Sequence, residues 1–560
     1  MSSVDWRNRF GWPWITSVRN QGGCESCWAF GTTALYEAMV RIEQCVWCLR
    51  SEGDVRDGVG KQCWDLGNIG EATNFVTTYG LADPDCFPYT EAAAVYSAEE
   101  GKGAWPISTT PDRAGRTVRA PAAITITDVA QKKQWIDAVG PMAMMFDPPA
   151  DFGAYHGGVY VPTTTQPGGE HCVLVVGFND DAPIPYWTVK NSWGTTWGMQ
   201  GFGYIAYSAN LLEPAQFWGV KGVNPDPLSK RRARNGAMIE SGNGGGHNNF
   251  ELFLQIGATI EHWYRENDNP SLPWVRVGVI QCADPWRNTF HDDVADAPSV
   301  VQSTFNRNFE VLYRTLNSGT GDGRVRHVYF DENAQDWLDA TTFGPSDPLG
   351  VAGFVQGNRG APADFETVIL RQNGAIEHWT KHNSWPWTQP PGTWSFRSQI
   401  DMGISQAGPA LVQSRLGVTG NMESGQGELH YAATGVRGEI CHYKLSAGAA
   451  SWQLINVFGS GFTSAPCMVE GQFGASNELD VGNFELCVVA SGQIQHWYRD
   501  NHALTPWSHT TTFGANAKRA IALLEGSFGF NLELVVENLD GHYQHYWRDG
   551  NGWHAGVVIV

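Results

Sequence analysis

A block of sequence recurs six times between residues 237 and 560 of this 560-residue chain, and no other feature limits the fold as strongly. In its clearest copy, Asn483-Phe-Glu-Leu-Cys-Val-Val489 is followed by Gly492-Gln-Ile-Gln-His-Trp-Tyr-Arg-Asp-Asn501, then by Pro506-Trp507 and Phe513-Gly514. The acidic residue of the first segment recurs as Glu251, Glu310, Glu366, Glu428, Glu485 and Glu533, and the histidine of the second as His262, His327, His378, His442, His496 and His545. Successive histidines lie about 57 residues apart on average, a spacing of the order of the WD40 and kelch propeller repeats. Each copy also opens on a short apolar run such as Ala410 to Gln413 or Ala520 to Glu525, so it supplies four strands, the content of one propeller blade. A β-solenoid has shorter repeats, and the sequence predicts a β-propeller of six four-stranded blades. The fourth copy is degenerate, with Gly427-Glu428-Leu429-His430 in place of Asn-Phe-Glu-Leu and Cys441-His442-Tyr443 in place of Gln-His-Trp.

A residue that returns in every blade is read first as solving a packing problem, so the repeated Glu and His are assigned to structure. A metal ring of the histidines is not expected, because blades hold them too far apart, and no cofactor is implied. Trp263, Trp379 and Trp497 are candidate binding residues, since aromatic faces stack on sugar rings, although they also suit the gaps between blades.

Charge separates the repeats from the rest. The chain has 37 basic and 57 acidic residues; residues 1–234 hold 19 and 24 of them, leaving 18 and 33 for the remainder. A net charge of −20 disfavours nucleic acid, whose phosphates need clustered cations, and makes an anionic polymer a poor partner for the propeller. No apolar run approaches the length of a membrane span; Cys172 to Phe178 suits a buried strand instead. Residues 224–236, with two prolines and four cations within Lys230 to Arg234, read as an exposed linker between a domain of residues 1–223 and the propeller of residues 237–560.

The first domain carries the chemistry. Gln21-Gly-Gly-Cys-Glu-Ser-Cys-Trp-Ala-Phe30 places Cys27 just before a helix-patterned segment, Ala34 to Ile42, where unpaired N–H groups and the positive helix end favour a thiolate. Sustaining that thiolate needs a base, and Gly168-Gly-Glu-His-Cys-Val-Leu-Val-Val-Gly-Phe178 puts His171 at the head of an apolar strand. The imidazole needs an orienter, and Lys190-Asn-Ser-Trp-Gly194 supplies Asn191, with Trp193 to keep water from the bond between them.

Together these segments resemble the papain family of cysteine peptidases over roughly the first 220 residues, from Val4-Asp-Trp6 through Phe87-Pro-Tyr89, Gly140-Pro141 and Gly158-Val-Tyr160. The resemblance implies a two-lobe α+β domain, with Cys27 as nucleophile on a helical lobe and His171 and Asn191 as base and orienter on a β-barrel-like lobe. It also implies that Gln21 and the Cys27 backbone N–H receive the oxyanion of the tetrahedral state, and that Cys24 pairs with Cys63. Cys86 would then look to Cys48 or Cys45, while Cys172 and Cys487, in apolar strand patterns, stay unpaired. Where the family has Gly, this chain has Glu25, whose carboxylate would favour Arg or Lys before the scissile bond. Cys63-Trp-Asp-Leu-Gly67 likewise brings side chains to a stretch that is bare backbone in the family.

The repeats, for their part, resemble β-propeller lectins of the tectonin and Photorhabdus kinds, which implies glycan binding. Disulfides favour a secreted or otherwise extracytoplasmic protein, and a start so near the family's mature N-terminus implies that signal and propeptide have been removed, with Met1 a start codon. The expected function is a monomeric cysteine endopeptidase acting on peptide or protein substrates, which a propeller tethers to glycans or a surface. The alternatives are a lectin or adhesin with an inactive peptidase scaffold, and a peptidase whose propeller binds proteins or covers the cleft.

Overall fold

A computed structural model describes residues 2–44, 47–84, 86–89, 113–224, 234–241, 249–267, 269, 271–280, 292–294, 296–304, 307–317, 324–331, 335–357, 364–382, 393–418, 427–526 and 530–560. Cys45 and residues 225–233 of the predicted linker lie outside them. The chain divides into two compact units, Met1–Asp226 with Ser476–Glu478, and Pro227–Ala475 with Leu479–Val560.

In the first unit, helices α1 (Cys27–Gln44), α2 (Glu52–Gly58) and α3 (Ile69–Tyr79) form a helical lobe. Side chains start two of them: Ser51 accepts from Asp54 N and Asn68 from Glu71 N, each occupying an otherwise orphaned helical donor. The β lobe is an eight-stranded sheet of β1 (Ser3–Asp5), β2 (Ile124–Ile126), β3 (Met142–Phe146), β4 (Val159–Tyr160), β5 (His171–Asn179), β6 (Tyr186–Lys190), β7 (Phe202–Ala206) and β8 (Phe217–Gly219). Its order is β2-β8-β3-β5-β6-β7-β4, with β1 paired to β5. The run from Cys172 to Phe178 is buried at every position, which is why it shows no alternation of polar and apolar residues. Helix α1 lies directly on β5 at Gly31, where a Cβ would stand 2.4 Å from Cys172 Sγ. That close approach brings the first turn of α1, with Cys27, against the first residues of β5, with His171.

The second unit is a six-bladed β-propeller of four-stranded antiparallel sheets, the second of which gains a fifth strand at Asp292–Val294. The blades begin on Met238–Glu240, Ser299–Gln302, Pro348–Gln356, Ile404–Gln413, Cys467–Glu470 and Ala517–Glu525. Arg234–Gly236 adds a strand to the last blade by pairing with Ala522–Leu524, and the chain then enters the first blade at Met238. These three residues, which the sequence assigned to the linker, thus join the last blade to the first.

The repeated Glu and His meet within each blade. Glu accepts from His Nε2 at 2.8 Å for Glu251 and His262, 2.7 Å for Glu310 and His327, and 2.5 Å for Glu366 and His378. The distances are 2.7 Å for Glu485 and His496 and 2.6 Å for Glu533 and His545. In each, the histidine lies opposite the residue two after the glutamate. Applied to the fourth blade, where His442 lies opposite Ala432, this register puts His430 in the acid's place and corrects the assignment of Glu428. There Trp507 Nε1 donates to His442 Nδ1, His442 Nε2 to His430 Nδ1, and His430 Nε2 to Glu428.

A tryptophan from the next blade covers most of these histidines. Trp394 donates to His327 Nδ1 at 3.3 Å, while Trp452, Trp553 and Trp274 pack edge-on to His378, His496 and His545. The contact of Trp274 with His545 carries the pattern across the closure from the first blade back to the last. Repetition of Glu, His and Trp is therefore accounted for by packing within and between blades.

Candidate functional site

Cys27 begins α1, and its sulfur accepts from the backbone N–H groups of Trp28 and of Cys172, the residue that follows His171. Two N–H donors and the helix terminus favour a thiolate, but burial acts more strongly, and together with the negative charges of Glu25 and Glu170 it pushes the thiol up to about 11. His171 is buried to 4 % exposure, and burial pulls its imidazole down to about 4 although Asn191 works in the other direction. Each group resists carrying a charge by itself.

The tautomer follows from Asn191. Its Oδ1 accepts from Ser192 N at 2.7 Å, which identifies that atom as the oxygen, and it lies 2.7 Å from His171 Nε2. Nε2 must then carry hydrogen in the neutral ring, leaving Nδ1 as the basic nitrogen. Trp193 stacks on the imidazole with ring centroids 4.3 Å apart, and Phe152 and Phe146 complete an aromatic wall.

Gln21 is fixed at both ends of its amide. Ser192 Oγ donates to Oε1 at 2.5 Å, and Nε2 donates to the Cys24 carbonyl at 2.7 Å, leaving the second N–H of that nitrogen available. Tyr89 holds the same segment by donating to the Gln21 carbonyl. Cys24 and Cys63 form a disulfide, and Glu25 N donates to the Cys63 carbonyl, so the Cys24–Cys27 loop is tied to the segment carrying exposed Trp64 and Leu66. The Glu25 side chain is exposed. Cys48 and Cys86 are buried, while Cys172 and Cys487 are buried and unpaired.

The residues of the motif thus converge, and several supports are invisible in the motif itself. Ser192 and Cys172 act through their position beside Asn191 and His171. Lys190, next to Asn191, donates to Thr16 Oγ1, which donates to Glu37. Arg19 pairs with Glu37 and Glu52, completing a buried charged network that joins α1 to the end of β6. In the propeller, Trp263, Trp379 and Trp497 are half-buried, and their indole N–H groups donate to Glu261, Glu377 and Gln495. Trp379 and Trp497 also pack against Phe343 and Phe458 of the preceding blades.

Residues 1–217 match the family described as papain family cysteine protease. Among curated proteins, the chain is 30 % identical over 224 residues to pro-cathepsin H of Bos taurus, covering 37 % of this chain and 61 % of that protein. It is 29 % identical over 233 residues to ananain of Ananas comosus, covering 40 % and 60 %. The chain therefore spans about three fifths of the length of these relatives. Among solved structures, a Carica candamarcensis cysteine protease aligns at 24 % identity with a TM-score of 0.32, covering 40 % of this chain and 98 % of that one.

Proposed function

We infer from the first unit, a papain-family cysteine peptidase domain, that the chain is an endopeptidase in which Cys27, His171 and Asn191 hydrolyse peptide bonds. The observation that carries this reading is the His171 Nε2 to Asn191 Oδ1 contact beneath Trp193, which leaves Nδ1 as the base for the sulfur of Cys27. Nδ1 takes the thiol proton, sulfur attacks the carbonyl carbon, and the imidazolium returns the proton to the leaving amine. Water then attacks the acyl-enzyme with the same histidine as base. During both steps the Gln21 side chain and the Cys27 backbone N–H donate to the oxyanion, and one such donor contributes about 3 kcal/mol. Ser192 positions Gln21. Glu25 favours Arg or Lys before the scissile bond.

The propeller tethers the peptidase to a glycan or glycan-bearing surface, raising the effective concentration of nearby substrates. Trp263, Trp379 and Trp497 are its stacking candidates. The Cys24–Cys63 disulfide supports an extracytoplasmic location. A thiol-directed epoxide is expected to label Cys27 stoichiometrically, and Cys27→Ala to abolish peptide hydrolysis. Undiminished hydrolysis by Cys27→Ala would assign the chemistry elsewhere. Paired fluorogenic peptides test the pocket: equal cleavage after Arg and after Gln, unchanged by Glu25→Gln, would remove its role.

A further inference from the structure

At the end of the propeller channel where the innermost strands begin lies a cavity of about 710 Å³, within the range of small-molecule sites. Its walls differ in chemistry. On one side stand Lys518, Arg519 and Glu537 of the last blade, Asp296 just before the innermost strand of the second blade, and Tyr543. On the other, Gln406, Thr463 and Ser464 stand among small or apolar residues that include Leu349, Val351, Ala407, Pro409 and Ala465. Unlike Glu, His and Trp, the charged set does not recur from blade to blade. Repeat packing therefore does not explain it.

The charges are balanced. Arg519 bonds both Asp296 and Glu537, and Lys518 Nζ donates to Glu537 at 2.5 Å. An anionic ligand would meet two carboxylates, and a cationic ligand would meet two cations. Ionised carboxylates only accept hydrogen bonds and these cations only donate them. A neutral group that satisfies both must do both, as a hydroxyl does, and neighbouring hydroxyls can serve several partners at once. A sugar ring adds an apolar face suited to the opposite wall.

We propose that this cavity binds a short neutral saccharide, with hydroxyls spanning Lys518, Arg519, Glu537 and Asp296 and the ring face against Leu349, Ala407 and Pro409. The proposal rests on the glycan-binding reading of the propeller and adds a site at the channel mouth, distinct from the stacking candidates Trp263, Trp379 and Trp497. Arg519 with Asp296 also joins the last blade to the second, so their removal is a poor test. Lys518 is half-exposed, and Glu537 keeps Arg519 without it.

The test uses the full chain carrying Cys27→Ala, titrated with methyl glucoside, methyl galactoside, methyl mannoside, N-acetylglucosamine, lactose and maltotriose under saturation-transfer NMR. Glucuronic acid and glucosamine are the charged arms. At least one neutral sugar is expected to bind, with affinity reduced about fivefold or more by Lys518→Gln and lost in Ala407→Trp. If Ala407→Trp fails to fold, Lys518→Gln decides. Binding that survives Lys518→Gln but is lost on Ala substitution of the three tryptophans overturns this site and leaves the glycan reading standing. Preferential binding of glucuronic acid or glucosamine overturns the ligand class. Failure of the whole panel to bind overturns both the glycan reading and this proposal.

Discussion

At His171, burial of an ionisable side chain trades against stability. In Cys27→Ala no thiolate can form, and burial, opposed only by Asn191, takes the imidazole from its ordinary 6.5 to about 4. Between those values the unfolded chain binds a proton that the folded one does not, so stability is full above about pH 6.5 and declines as pH falls toward 4. The loss reaches about 3 kcal/mol. Denaturant midpoints of Cys27→Ala at pH 7 and pH 4.5, set against the double variant with His171→Gln, isolate the effect, and an equal decline in both variants would contradict it. At the sulfur, Glu25 and Glu170 raise the thiol by like-charge repulsion. Glu25→Gln and Glu170→Gln should each lower it, speeding alkylation by iodoacetamide at pH 7 about twofold in low salt, and less at high ionic strength. Alkylation slowed by these changes would mean that the carboxylates act by another route. Cys27, His171 and Asn191 are legible in the sequence because the proposed peptide hydrolysis demands those residue types; Glu170 and Ser192 have no such signature and matter only through proximity.

Among the elements, β5 and the repeated blade strands are visible in the sequence as patterns, while their register is not. Glu428 matches the other acids in being the only carboxylate of its segment, yet a face is shared by residues two apart and His430 occupies the bonding position. The interblade tryptophans are equally hidden: Trp274 and Trp507 follow a proline while Trp394, Trp452 and Trp553 do not, and neither context says which neighbour the ring reaches. The Glu and His pairs themselves make a graded prediction. Glu366 and His378 are both buried, so Glu366→Ala removes the acceptor and leaves a buried imidazole N–H unpaired, costing about 2–4 kcal/mol. Glu366→Gln retains an acceptor oxygen and should cost about 1 kcal/mol. Chemical unfolding of the two variants separates the cases; equal losses would mean that side-chain volume, not the hydrogen bond, holds the blade.

A ring of six sheets stays closed only if its last blade holds its first. Arg234–Gly236 supplies that hold by pairing with Ala522–Leu524 before the chain enters the first blade. Gly236 allows the close approach, because a Cβ there would stand 2.3 Å from the Ile521 carbonyl oxygen, and its φ of 92° lies in the left-handed region. Asn235 extends the closure beyond the two blades it joins: its buried Nδ2 donates to the carbonyls of Leu411 at 2.7 Å and Met468 at 3.1 Å, in the fourth and fifth blades. One amide thus ties the closing strand to two further blades. Asn235→Ala leaves both carbonyls without that donor in a buried setting, and a loss of about 2–3 kcal/mol is expected. Asn235→Asp tests the sign, since a carboxylate facing two carbonyl oxygens cannot donate and adds charge. It should destabilise more than Ala at pH 7 and less at pH 4, where protonation restores a donor. Propeller unfolding followed by tryptophan fluorescence at both pH values measures the difference, and an Asp variant as stable as wild type at pH 7 would remove Asn235 from the closure.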